Sequence, residues 1–337
     1  MKGKAFRKMA VLVTGGAGYI GSHMVLALLD ANEEVVVLDN LSTGFDWALP
    51  PEAALVVGDM GDQDLVLDTI ARHKVEAIAH FAAKIVVPDS VADPLGYYLN
   101  NTVKSRSLIE SAVKGGVQKF IFSSTAAVYG EPPVVPVPED LALNPINPYG
   151  RSKLMTEWML QDAARAHGLR YVALRYFNVA GADPRGRSGQ STKNATHLIK
   201  VAAETALGDR PFIEVFGTDY PTPDGSCQRD YIQVSDLADA HMAALAHLRR
   251  GGDSLTLNCG YGRGYSVLEV IQVVKRVSGV DFTVRISPRR AGDPARIVAK
   301  ADRIRHELGW IPRHDDLTEI VGQALAWERA LKVRNLR

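Results

Sequence analysis

The sequence predicts an α/β fold: a doubly wound parallel sheet with helices on both faces, joined to a smaller α/β lobe. Three observations carry this. Short, unbroken apolar runs alternate with helix-length stretches as far as residue 180; a glycine-rich turn links the first run to the first helix; and beyond 180 the rhythm changes to longer loops. Strands covered by helices on both faces bury every side chain, so they read as continuous apolar runs and not as alternating patterns.

Taken in order, the run at 10–13 breaks at Thr14-Gly15-Gly16 and is followed by a helical stretch at 19–32 and a second run at 34–38, ending in Asp39. Further runs at 54–57, 77–81, 119–122 and 171–175 are mostly separated by helical stretches, notably at 63–73, 99–115 and 152–167. Each parallel pair of strands needs such a crossover. Past residue 180, loops at 181–190 and 217–225 are rich in Gly, Pro, Thr and Asp, while helical stretches at 196–207, 234–248 and 267–277 alternate with short strands. The chain therefore divides into a dinucleotide-binding region at 9–180, with room for a later return near 230–250, and a second lobe at 181–337 that mainly holds substrate.

The composition excludes several classes. With 39 basic against 38 acidic residues the net charge is +1, so no strong field attracts nucleic acid or an acidic membrane. No stretch approaches 18 apolar residues, and a small, individually held ligand is the expected partner. The basic start, M-K-G-K-A-F-R-K, precedes an apolar run of only five residues at 9–13, too short for a secretory signal, so residues 1–8 are set aside as an extension. Cys227 and Cys259 form no CxxC pair, which fits a reducing, cytoplasmic setting, and no metal site is expected.

The turn T-G-G-A-G-Y-I-G places Gly15, Gly18 and Gly21 in GxxGxxG spacing directly after a strand and at the start of a helix. A backbone free of side chains there turns sharply, approaches a pyrophosphate closely and aims helix N-terminal amides at it. Asp39 ends the next strand 18 residues after Gly21, where a carboxylate accepts hydrogen bonds from an adenosine ribose and repels a 2′-phosphate, so NAD is favoured over NADP. Asp59, after the third strand, is a second acid at the same edge. Together these give a Rossmann-type domain.

In P-Y-G-R-S-K, residues 148–153, Tyr149 and Lys153 are four apart and share one helix face. A tyrosine, with an ordinary pKa of about 10, needs a neighbouring cation to act as a base, and Lys153 supplies one. Ser123-Ser124-Thr125 ends an apolar strand at the carboxyl edge, which makes Thr125 the candidate to orient a substrate hydroxyl.

These residues resemble the extended short-chain dehydrogenase/reductases, and within them the nucleotide-sugar 4-epimerase branch. The resemblance runs from Met9 onward. It rests on V-T-G-G-A-G-Y-I-G-S-H at 13–23, L-D-N-L-S at 38–42, H-F-A-A at 80–83, F-S-S-T-A-A-V-Y-G at 122–130, P-Y-G-R-S-K at 148–153, R-Y-F-N at 175–178, R-D-Y-I at 229–232 and F-G-T-D-Y-P-T-P-D-G at 216–225. It implies an isomerase that interconverts UDP-glucose and UDP-galactose with NAD through a 4-keto intermediate, with Tyr149 as base. Beside the glycines and Asp39, it implies cofactor contacts from Tyr19, Ile20, Asn40, Ser42, Thr43, Gly44, Asp59, Met60, Phe81, Ala82, Ala83, Lys84, Asn100, Tyr149, Lys153 and Phe177. For the UDP-sugar it implies Thr125, Asn178, His197, Leu198, Phe216, Arg229, Tyr231, Arg290, Asp293 and Ile297, the arginines pairing with phosphate through their planar forks. It further implies a homodimer packed through 99–115 and 152–167.

The chain departs from the pattern in three places. Lys84 stands one position earlier than in some members, with Ile85 following. Cys227-Gln228 replaces the commoner Gly-Val type, and Ile297, of intermediate bulk, holds the gate to the hexose pocket, from which a preference for plain over N-acetylated hexoses is expected. A 4,6-dehydratase needs an Asp-Glu pair after the threonine, where this chain has Ala126-Ala127, and methyl groups move no protons. A 4-epimerase for UDP-xylose and UDP-arabinose uses the same residues and stays open as an alternative, while a protein that only binds NAD would not need the Tyr149–Lys153 pair.

Overall fold

The structure, a computed structural model, describes residues 9–193, 195–290 and 293–335. The extension at 1–8 lies outside them. The first lobe is built from β1 (Ala10–Thr14), α1 (Tyr19–Asp30), β2 (Glu34–Asp39), β3 (Ala54–Val57), α2 (Gln63–His73), β4 (Val75–His80), α3 (Val87–Ala92), α4 (Pro94–Tyr97), a π-helical turn at Tyr98–Val103, α5 (Lys104–Lys114), β5 (Lys119–Thr125), α6 (Pro148–His167) and β6 (Arg170–Tyr176). There follow β7 (Asn178–Ala180), α7 (Leu198–Ala206), β8 (Ile213–Phe216), β9 (Gln228–Gln233), α8 (Val234–Arg249), β10 (Leu255–Cys259), β11 (Gly264–Ser266), α9 (Val267–Ser278), β12 (Val284–Ser287), β13 (Arg296–Ile297), α10 (Asp302–Leu308) and α11 (Leu317–Asn335).

Seven strands form one parallel sheet in the order β10-β6-β5-β4-β1-β2-β3. Every residue of β1 is buried, as its unbroken apolar run requires. The strand order reverses between β1 and β4, so the loops leaving them diverge and open a crevice at the carboxyl edge. α1 and α8 cover one face through Met24, Val25, Leu28, Leu237, Ala240 and Ala244. On the other lie Val66 and Ile70 of α2, Leu108 and Ala112 of α5 and Leu160 of α6. The second lobe has its own core, in which Ile199 and Ala203 of α7, Val270 and Val274 of α9, and Ile320 and Leu325 of α11 close over β8.

Two helices differ from their expected starts by about four residues or more. α6 begins at Pro148, not at 152: Asn147 caps it by accepting from Gly150 N–H at 2.9 Å, and proline suits the first helical position because its missing N–H would have had no partner there. The 99–115 helix is interrupted by the wide turn at Tyr98–Val103 before α5 begins, where Asn101 turns its amide inward to bond neighbouring segments. The chain returns to the first core with α8 and then adds β10 to the main sheet beside β6, in the register Leu255↔Val172.

Candidate active site

The glycine turn is as tight as a close approach demands. Gly15 has φ +72°, and a Cβ there would stand 2.6 Å from the Ala82 nitrogen; one on Gly21 would meet the Gly15 oxygen at 2.1 Å. Gly18 caps α1 without a side-chain hydrogen bond, and the first turn holds no acid, so the helix amides remain available to an anion. The Asp39 carboxylate accepts from Ala17 N–H at 3.0 Å and Leu41 N–H at 2.8 Å, which ties the turn to the loop carrying Asn40, Ser42, Thr43 and Gly44. Asp39 thus has a structural task as well as the one its position suggests. Phe81 and Ala82 donate to Thr14 O at 2.9 and 3.1 Å, folding the loop after β4 against β1. Burial pushes the Asp59 carboxyl up, but the Lys104 ammonium and Gly61 N–H outweigh it and hold the group below its ordinary range. The residues present therefore fit a dinucleotide laid across the ends of β1, β2, β3 and β4.

At the end of β5, Thr125 caps the following 3-10 turn (Ala126–Tyr129), its hydroxyl accepting from Ala127 N–H at 3.1 Å. Tyr149 and Lys153, one turn apart on α6, are only 9% and 3% exposed. Burial raises the Tyr149 phenol, and a hydrogen bond from the Thr125 hydroxyl acts the other way. The Lys153 ammonium donates to Ser123 O at 2.8 Å and lies 5.0 Å from the centre of the Phe122 ring. Burial pushes it down to about 7. A phenol, an ammonium and a hydroxyl thus lie at the carboxyl end of β5, with β4 between that strand and β1. Such a group can take a proton from an alcohol and return it.

The second lobe supplies the rest. Asn178 of β7 pairs in register with Tyr231 of β9, and Ile297 of β13 with Arg229. Arg229 donates to Pro294 O at 2.8 Å and stands 3.6 Å from the Asp293 carboxylate. The Arg290 guanidinium lies 4.1 Å over the Phe216 ring. His197 is the N-cap residue of α7, 3.2 Å from the Gln190 amide, and burial lowers its pKa. A recess joins Asn178, His197, Leu198 and Tyr231 to Tyr19, Gln190, Trp327 and the buried Lys200–Glu328 ion pair. Phe177 is buried in the core beneath.

Not every expected residue is aimed at the crevice. The Lys84 ammonium lies 3.8 Å from the Asp93 carboxylate and 5.7 Å from the Tyr97 ring centre. The Asn100 amide donates to Asn101, and Met60 is buried in the core. Three features escaped the sequence reading. Asn101 bonds both backbone groups of Lys84 at 2.8 Å and Ser152 Oγ at 3.1 Å, joining the loop after β4 to the first turn of α6. Glu157 pairs with Arg175 inside the protein, and Lys200 pairs with Glu328 at the recess. Nothing local marks an asparagine, a glutamate or a lysine within a helix as a partner for residues distant in sequence. Among the described residues no group of His, Cys, Asp or Glu could hold a metal, and no helix is long and apolar enough to cross a membrane.

Comparison with known proteins gives a consistent picture. The family model described as NAD dependent epimerase/dehydratase family matches residues 11–260. A protein of Azospirillum brasilense named UDP-glucose 4-epimerase is 59% identical over 322 residues, covering 96% of this chain and 92% of its own length. The crystal structure of UDP-glucose 4-epimerase from Brucella ovis in complex with NAD is 45% identical, with a TM-score of 0.92 over 94% of this chain and 98% of that one. That of UDP-glucose-4-epimerase from Stenotrophomonas maltophila, with bound NAD and formylated UDP-arabinopyranose, is 39% identical, with a TM-score of 0.93 over 97% of this chain and 99% of that one.

Proposed function

Because the chain belongs to the NAD dependent epimerase/dehydratase family, we propose that Tyr149, Lys153 and Thr125 carry the chemistry of an isomerase that inverts the C4 centre of a UDP-hexose, interconverting UDP-glucose and UDP-galactose. The observation that carries this is the buried Tyr149 phenol, its pKa raised by burial and lowered by the Thr125 hydroxyl, with Lys153 one turn along and pinned to the Ser123 carbonyl.

Bound NAD supplies the hydride acceptor and donor at C4. Tyr149 takes the proton of the 4-hydroxyl as the 4-keto sugar forms and returns it when the opposite face is reduced. Thr125 bonds the same oxygen and keeps it at the phenol. Lys153, held by Ser123, supplies the charge that makes a phenolate affordable in a buried site. Asn178, Arg229 and Arg290 hold the diphosphate and His197, Leu198, Phe216, Tyr231 and Asp293 the rest of the nucleotide, so binding energy is realised away from the reacting carbon and the hexose is free to turn over. Ile297, 7% exposed, narrows the hexose end and favours sugars without an N-acetyl group.

Replacing Tyr149 by Phe tests the assignment: turnover should fall about 10²- to 10⁴-fold with NAD still bound, and an unchanged rate would sink it. Purified protein given UDP-galactose and no added nicotinamide should form UDP-glucose. Failure there, unrelieved by NAD, would bring forward the UDP-pentoses, for which the UDP-arabinopyranose derivative in a structure 39% identical to this chain is the supporting observation.

Two further readings follow from the surface and the thiols. Val91, Leu95, Leu99 and Val103, on α3, α4 and the π turn, and Trp158 on α6 are each at least half exposed, an apolar face suited to a homodimer packed through these helices. Both cysteines, Cys227 and Cys259, are free and buried, which supports a cytoplasmic setting.

A further inference from the structure

The polar stripe of α6 does not end at Lys153. Glu157, four residues on, lies on the same side of the helix and is fully buried. Its carboxylate accepts from Arg175 Nε at 3.0 Å, from Arg175 Nη2 at 2.7 Å and from the hydroxyl of Ser124. Ser124 and Arg175 face each other across the β5–β6 ladder, one place before the pair Thr125↔Tyr176. Arg175 also donates to the Tyr129 hydroxyl at 3.0 Å and to Glu139 O at 3.2 Å, and its guanidinium lies 5.1 Å from the centre of the Tyr129 ring. Tyr129 ends the turn that Thr125 caps, and its own hydroxyl is fixed by Asn258 at 2.7 Å.

Thr125 is therefore flanked on both sides by residues tied to Glu157: Ser124 directly, and Tyr129 through Arg175. A buried ion pair seldom adds net stability over apolar side chains of similar size, so stability alone does not account for this one. What it does supply is direction, because a planar fork bound to a carboxylate fixes angle as well as distance. We propose that Glu157 is a positioning residue which, through Ser124 and Arg175, sets the Thr125 hydroxyl against Tyr149. The inference rests on Thr125 and Tyr149 being the catalytic pair.

The test compares the full-length protein with two variants, each alone and combined with Thr125→Val: Ser124→Ala, and the pair Glu157→Met with Arg175→Leu, which removes both charges together. With UDP-galactose as substrate, the paired variant should keep its NAD content and KM while kcat falls about 10- to 100-fold, the loss typical of a misplacement near 1 Å. Ser124→Ala should lose less. In both, the limb of the kcat pH profile that reports Tyr149 should move upward by roughly half a unit to one unit, because a displaced hydroxyl no longer stabilises the phenolate. Adding Thr125→Val should bring little further loss, since both changes act through one group. A scaffold role would lower stability without moving that limb. Unaltered kcat in both variants, or losses that multiply fully with Thr125→Val and an unmoved limb, would overturn the proposal. If the paired variant does not fold, Ser124→Ala decides by the same readouts. An intact rate in Tyr149→Phe would overturn the catalytic assignment and this inference with it, whereas loss there with unaltered network variants would overturn the inference alone.

Discussion

Lys153 shows what burying a cation costs a protein. Burial drives its ammonium down to about 7, well below an ordinary lysine, while it donates to a neutral carbonyl. Such a group opposes folding most strongly at and below neutral pH and less as the pH rises towards its unfolded value near 10.4. Lys153→Met should therefore stabilise the ligand-free protein at pH 7, by on the order of 1–3 kcal/mol in a urea titration, while abolishing most turnover. A less stable Lys153→Met would mean that the bond to Ser123 outweighs desolvation. The residues legible in the sequence were those whose own chemistry is conspicuous at fixed spacing: Gly15 and Gly21, Asp39, and Tyr149 with Lys153. Glu157 has the same periodicity, but its meaning depends on Arg175, which only the β5–β6 register brings opposite. Lys84 illustrates the reverse case, a conspicuous charge whose ammonium lies towards Asp93.

Among the elements, the apolar runs located six of the seven strands of the main sheet to within about three residues, because a strand buried on both faces reads as an unbroken apolar run, whereas β10, with Thr256 and Asn258 inside it, gave no such run. Helix limits were less legible, since they depend on caps and on contacts from elsewhere. The wide turn at Tyr98–Val103 is such a case: Asn101 clamps the Lys84 backbone there, and Asn101→Ala should lower stability by about 1–2 kcal/mol and weaken NAD binding, measured by thermal unfolding and cofactor titration. On the outer side of the same turn, Leu99 is 55% exposed. If the proposed homodimer packs through this face, Leu99→Glu should convert it into a folded monomer in sedimentation experiments, and an unchanged mass would contradict that interface.

For the molecule as a whole, buried histidines weigh on its response to acid, three of them most strongly. Burial pushes His80 down to about 3 and both His23 and His241 to about 4. Each is neutral when folded and takes up a proton near pH 6.5 when unfolded, so their contribution is present above that value and is lost as the pH falls towards 4. Asp230, raised to about 6 by burial, and Asp239 and Glu328, also raised by burial, work against the loss over part of this window, while burial lowers His197 as it does the other three imidazoles. The urea midpoint should therefore fall between pH 7.5 and pH 5, and equal midpoints would contradict the assignment. The same scale holds a constraint on descent. The chain leaves the main sheet after β6, comes back for α8 and β10, departs again for β11 and α9, and returns once more with α10, whose Ile304 and Leu308 join the first core, before α11 closes the second. The two lobes are thus stitched, not strung. No single cut frees one from the other, so one recombination event cannot exchange the second lobe as a cassette. Change there must arise in place, by point substitution within a lobe that stays threaded through the first.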